Sequence, residues 1–178
     1  MEYIKTIEEL IEKLDEAEPR EHARVMKKIK LDSTELKQFT TWCTKGYTRN
    51  CLARTDAYEL ILLCWDIGAE TPIHDHGGED CWVYQIQGTI EESRFEKVGE
   101  ELIKVDTMEL IPGKLTYMDD RMGYHSLKNL SEGSRAMTLH IYAMPIDRCN
   151  VYNDQTDCFE NKEMSYHSFK GMEVEMAI

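Results

Sequence analysis

From Tyr47 onward the chain becomes a succession of short apolar runs cut by turn signals, and this pattern limits the folds open to it more than any other feature. Leu60 to Trp65 reads as a buried strand, and Cys81 to Ile86 runs into Gly88 before Thr89 to Phe95 returns. Lys97 to Glu101 marks a hairpin tip, Leu102 to Leu110 alternates, and Pro112-Gly113 makes a turn. Leu115 to Met118, Tyr124 to Leu127 and Met137 to Tyr142 supply further strands. Many short strands at regular spacing predict a mainly β fold, either a closed barrel or a jelly roll.

The first 45 residues read differently. Ile4, Ile7, Leu10, Ile11 and Leu14 recur at helical spacing and stop before Pro19. Val25, Met26 and Ile29 suggest a second short helix. A third is expected to be capped by Asp32 or Ser33, to carry Leu36, Phe39, Trp42 and Cys43 on its apolar side, and to end at Gly46. At 178 residues, with no linker, repeat or low-complexity stretch, the chain is expected to be one domain over 1–178. A helical prefix over 1–45 would pack outside a β-barrel over 46–170.

Charge narrows the partners. Asp and Glu number 34 against 21 Lys and Arg, a net charge of -13, so the basic clusters that grip phosphate backbones are lacking. No nucleic acid is expected, and no apolar run of about 18 residues predicts a membrane span. Six cysteines occur without a CxxC pair, and the N-terminus is charged and helical with no secretory pattern. Free thiols and a cytoplasmic location are therefore the expectation. Cys64, inside the apolar Leu60 to Trp65 run, is read as a small buried core residue.

His74-Asp75-His76 carries the first chemical signal. In a strand, residues i and i+2 face one way, so both imidazoles would share a side at the start of a barrel strand. Alone, the pair is equally compatible with surface or hydrogen-bonded core histidines. Around it, Gly68, His74, His76, Cys81 and Gly88 resemble the first cupin motif, G(x)5HxH(x)4E(x)6G, with Cys81 in the glutamate slot. Gly123-Tyr124-His125 and Asn129 resemble a degraded second motif. The resemblance implies a cupin-type jelly-roll β-barrel with His125 as third metal ligand beside His74 and His76. Three neutral imidazoles leave a divalent metal its full charge, which suits an anionic soft donor such as a thiolate. The same triad is also a zinc pattern, so ligand count does not choose the metal.

With Cys81 where the glutamate would be, the chain resembles the cysteine dioxygenase family. The likeness continues through Tyr47-Thr48-Arg49-Asn50, Leu63-Cys64-Trp65, Leu139-His140-Ile141-Tyr142, Asp147-Arg148-Cys149 and Tyr166-His167-Ser168. It implies an Fe(2+) cofactor, with L-cysteine and dioxygen as partners and cysteine sulfinate as product. It also implies Arg49 on the substrate carboxylate, Tyr47 positioning Arg49, and His140 holding the Tyr142 hydroxyl. Cys81 would be joined to Tyr142 by a thioether bond. Cys149 falls near the expected pocket mouth, where packing is at least as good an explanation. A monomer is expected.

Two departures stand out. Ala143-Met144-Pro145 replaces the Ser-Pro-Pro of many animal-type members, so a costly cis bond between Ala143 and Met144 is not expected. Thr138 replaces a serine, and its hydroxyl would keep a bond to His140. Rival readings are a dioxygenase for 3-mercaptopropionate or cysteamine, a non-catalytic metal-binding cupin, and a zinc hydrolase or isomerase. The last would need a general base beside the metal, and the sequence places no obvious glutamate there.

Overall fold

The computed structural model describes residues 2–174. Twelve strands follow the helical prefix: β1 Tyr47–Arg54, β2 Glu59–Trp65, β3 Cys81–Gln87, β4 Ile90–Val98, β5 Glu101–Leu110, β6 Leu115–Met118, β7 Tyr124–Asn129, β8 Ala136–Tyr142, β9 Arg148–Asn153, β10 Cys158–Glu163, β11 Ser168–Phe169 and β12 Met172–Glu173. Seven of them form a sheet in the order β12-β11-β1-β2-β8-β3-β6. A second sheet runs β5-β4-β7, and β9 and β10 form a two-stranded ribbon. The ladders therefore do not close into one continuous ring. Isolated bridges join the pieces instead, among them His74 to His125 and His74 to Val151.

Period-two patterning explains the layers. In β2, Leu60, Leu62 and Cys64 pack outward against the prefix, while Ile61, Leu63 and Trp65 pack inward between the sheets. Strand β8 does the same: Leu139 and Ile141 join the outer core, and Ala136 and Tyr142 join the inner one. Both strands are buried on two faces; β2 therefore reads as a continuous apolar run from Leu60 to Trp65, while β8 keeps polar Thr138 and His140 on its inward face. The inner core is completed from the opposite sheet by Ile90, Leu110 and Leu127.

The prefix is shorter in helix than the sequence predicts. Helix α1 covers Ile7–Asp15, with Thr6 as N-cap accepting from the Glu9 amide, and α2 covers only His22–Met26. Ile4 lies outside α1 and bridges Ile29 in parallel. A nine-residue helix is marginal alone. Burial of Ile7, Leu10, Leu14 and Met26 against the sheet contributes about 1.5–3 kcal/mol each and holds the prefix down.

The expected third helix is not formed. Asp32 accepts from the Thr34 amide and hydroxyl at 2.8 and 2.7 Å, an Asx turn, and only Lys37–Phe39 makes a turn of 3-10 helix. Thr41 then serves β1: its hydroxyl donates to Asn50 Oδ1 at 2.6 Å and its carbonyl accepts from Thr48 at 2.7 Å. Side-chain bonds to the sheet win over the weak helix propensity of Thr40-Thr41-Trp42-Cys43.

No disulfide links the six cysteines, and Cys64 is fully buried. Among the described residues no peptide bond is cis, so Ala143 to Met144 is trans as the lost proline predicts. No helix among them is long and apolar enough to cross a membrane.

Candidate metal centre

His74 and His76 do not sit in a strand. Their segment bridges β2 and β3, with Pro72 before it and Gly77-Gly78 in left-handed conformations after it. Gly77 is required: a Cβ there would lie 2.6 Å from the Arg148 carbonyl. What points both rings one way is pairing on either side. His74 and His125 exchange backbone bonds, each 3.0 Å, and Asp75 is pinned to β9 by the Asn150 amide and side chain at 2.8 and 2.6 Å. Asp120 accepts from the His76 and Gly78 amides at 2.8 and 2.6 Å.

The three rings converge. One nitrogen from each of His74, His76 and His125 lies within 4.8 Å of the others, and ring centroids are 4.6–5.5 Å apart. His74 Nδ1 is 2.9 Å from the Pro72 carbonyl and His125 Nδ1 is 3.0 Å from Glu92 Oε1. An acceptor at Nδ1 holds the proton there and leaves the lone pair of Nε2 free in each ring. His76 is buried with neither ring nitrogen bonded to protein. Burial first, then the neighbouring imidazoles, lower the pKa of His76 and His125 well below the usual histidine value, which favours the neutral, ligating form. An orphaned buried imidazole beside two oriented ones is a donor set that fits a divalent cation.

Of the other predicted site residues, Tyr47, Arg49, His140 and Tyr142 line one cavity with His74 and His76, and Cys81 lies behind Tyr142. Arg49 sits on β1, its amide donating to His167 Nδ1 at 3.1 Å and its Nε to the Ser165 carbonyl at 3.2 Å. Its Nη2 is buried without a protein partner. Tyr47, two residues earlier on β1, lines the cavity too and stacks at 5.0 Å on Trp65. His140 and Tyr142 project inward from β8. The bond expected from Thr138 is present, at 2.8 Å to His140 Nε2, whereas no bond joins His140 to the Tyr142 hydroxyl among the described residues. Cys81 on β3 is directly opposite Tyr142 in the antiparallel register. Burial raises the pKa of the Tyr142 hydroxyl and the Cys81 thiol. Cys149 is buried in the cavity wall, with Sγ 3.2 Å from Met164 Sδ and its pKa pushed up to about 11 by burial.

Three contributions escaped sequence reading. The β9–β10 ribbon itself was not expected, although Cys149 was placed near the pocket; the short Cys149-Asn150-Val151 alternation brings Cys149 and Val151 to the cavity wall. Glu92 is fully buried behind His125, but in the sequence it is one of two adjacent acids resembling a solvated pair; only strand alternation hints that one points inward. Arg54 holds the segment after β8 against the sheet through Asp147 at 2.6 Å and buried Glu59 at 3.0 Å. Glu59 Oε2 lies 3.5 Å from the Ile146 amide, so this clamp sets the wall where the family's first proline is missing.

Facing sheets with an inward cluster of imidazoles define a cupin-type protein with a three-histidine, metal-capable centre. The solved structure of a Klebsiella pneumoniae protein with a double-stranded β-helix domain has the same fold, at TM-score 0.51 and 14% identity over 61% of this chain and 81% of that one. The cysteine dioxygenase type I family model matches residues 1–155, and the chain belongs to that family. Human cysteine dioxygenase type 1 is 29% identical over 162 residues, covering 89% of this chain and 81% of its own length. The Danio rerio protein of the same name is 25% identical, over 94% and 86%.

Proposed function

We propose that the chain oxidises the thiol of L-cysteine to the sulfinate with dioxygen, using iron(II) held by His74, His76 and His125. The observation that carries this reading is Arg49: a buried cation with Nη2 unpartnered, in the same cavity as His74 and His76 of the triad. A small thiol that also bears a carboxylate matches both features. Iron, when bound, supplies thiolate affinity and oxygen activation. One cysteine thiol and one O2 give one sulfinate, with both oxygens on sulfur and the thiol proton released to solvent.

The chain's own residues position the reactants. Arg49 would take the carboxylate in a charge-assisted contact, its planar guanidinium already anchored through Nε. Tyr47 packs on Trp65 beside Arg49 and limits its movement. Tyr142, kept protonated by burial, is a hydroxyl donor facing the bound substrate, and His140 lies beside it with ring centroids 6.3 Å apart. Cβ atoms of directly opposed antiparallel residues are about 4.5–5.5 Å apart, within reach of a bond from Cys81 Sγ to the Tyr142 ring. That thioether would form with loss of two hydrogens to dioxygen, fixing the tyrosine in place.

The test is anaerobic iron(II) loading followed by oxygen uptake with cysteine, 3-mercaptopropionate and cysteamine in parallel, with intact mass recorded after turnover. Cysteine is expected to be consumed fastest, one O2 per sulfinate, with a fraction of the protein lighter by two hydrogens. Preference for 3-mercaptopropionate would move the substrate but keep the chemistry. No uptake with any thiol would overturn the proposal.

A further inference from the structure

His125 is braced by a polar network that spans the two sheets. Its Nδ1 lies 3.0 Å from Glu92 Oε1, and Glu92 is fully buried on β4. The same oxygen accepts from Arg94 Nε at 3.3 Å, and the other accepts from the Thr116 hydroxyl at 2.9 Å. Arg94 Nη2 donates onward to Thr116 Oγ1 at 3.0 Å and to the Tyr117 carbonyl at 2.9 Å. Arg94 is directly opposite His125 across the β4–β7 ladder, while Thr116 and Tyr117 belong to β6 in the seven-stranded sheet.

A carboxylate taken this far from water costs several kcal/mol unless paired and fully bonded. Here three donors from three different side chains meet it, and a guanidinium supplies the opposite charge. The arrangement also limits what Glu92 can do. With one oxygen on His125 and Arg94 and the other on Thr116, the carboxylate is tied away from the centre it backs. Its oxygen at Nδ1 selects one tautomer of His125 and one ring angle.

We propose that Glu92 is the positioning residue of the metal centre, fixing His125 with its proton on Nδ1 and its lone pair on Nε2, and that Arg94 and Thr116 tether Glu92 so that it orients a ligand and does not become one. The inference rests on the triad being a metal centre but not on which thiol is oxidised. It explains how the site stays all-imidazole with a glutamate one residue behind it. Outer partners of this kind are worth roughly 10- to 100-fold in metal affinity.

Cobalt(II) titration of the full chain, followed by visible absorption and chelator competition, reads the affinity and the ligand set. Long-range 1H–15N NMR of the metal-free protein reads the His125 tautomer, which a metal on Nε2 would otherwise fix by itself. Glu92→Gln is expected to weaken cobalt(II) about 10- to 100-fold and to mix the tautomers, since an amide can accept from or donate to Nδ1. Arg94→Met is expected to alter the cobalt(II) spectrum as the freed carboxylate reaches the metal. Unchanged affinity and unchanged tautomer in Glu92→Gln would overturn the proposal. Should that variant fail to fold, an unchanged spectrum in Arg94→Met would do the same. Failure of the unaltered protein to bind cobalt(II) or zinc(II) would instead remove the metal centre itself.

Discussion

Two histidines in this molecule, His22 and His76, are buried with neither ring nitrogen bonded to protein, and they do opposite things. His22 opens α2 in the outer core, with the rings of Tyr58 and Trp82 edge-on at 5.7 and 6.1 Å. It is used as an aromatic wedge. His76 has His125 and His74 as its neighbours, at 4.6 and 5.5 Å, and both of those are oriented from behind by acceptors. An orphaned imidazole is therefore not by itself a site. What makes a site is convergence: three donor atoms on independently anchored backbones, brought together where a cation can satisfy them all.

The largest effect should come from breaking that convergence. His76→Ala is expected to reduce cobalt(II) or iron(II) affinity by more than the roughly 100-fold that loss of an outer partner costs, and to abolish thiol oxidation. Chelator competition on the purified variant checks it. The contrasting substitution, His22→Leu, should leave metal affinity unchanged. Equal losses in the two variants would show that the centre depends on general burial and would break the comparison.

The same contrast explains what could be read in advance. Period-two alternation puts His140 and Tyr142 on one face of β8, but it was the family resemblance, with Cys81 in the glutamate slot, that made that face the inward one. His74 and His76 were legible as a pair, though for the wrong local reason: turns and bridges aim them, not a strand pleat. The His22 environment was not legible, because nothing local distinguishes a wedge from a ligand. Glu92 was hidden for a related reason. Two of its donors lie far away in sequence, Thr116 by 24 residues and His125 by 33, and they meet it only through the β4–β7 register and the packing of β6 from the other sheet. The prefix failed at Thr40 to Cys43, where bonds to β1 across the fold outweigh local helix signals.

Arg49 sharpens the rule with a different chemistry. Its Nη2 is also buried without a protein partner, but here, unlike at His76, the missing partner is an anion and not a cation. A hydrogen bond to a charged group is worth about 1.5–3 kcal/mol, so Arg49→Ala should raise the apparent KM for cysteine about 10- to 100-fold. Cysteamine, which lacks the carboxylate, should be affected much less. Oxygen uptake across a range of each thiol separates the two. Equal effects on both would mean that Arg49 shapes the cavity without contacting the carboxylate.

The smallest effect belongs to His22, and its sign is fixed by burial. Desolvation lowers its pKa below the usual value of 6.5, so the folded state resists protonation that the unfolded chain accepts. Stability from this position is intact above about pH 6.5 and is lost as pH falls from there towards the folded-state value, because the unfolded chain then binds the extra proton. His22→Leu should therefore melt increasingly above the unaltered protein as pH is lowered from 7 to 5, by no more than a few degrees. Melting curves taken in zinc(II)-saturated samples isolate the effect, since the metal then holds the triad in both proteins. A difference that stays constant with pH would mean that His22 finds a proton acceptor when charged, and the contrast with His76 would lose its thermodynamic half.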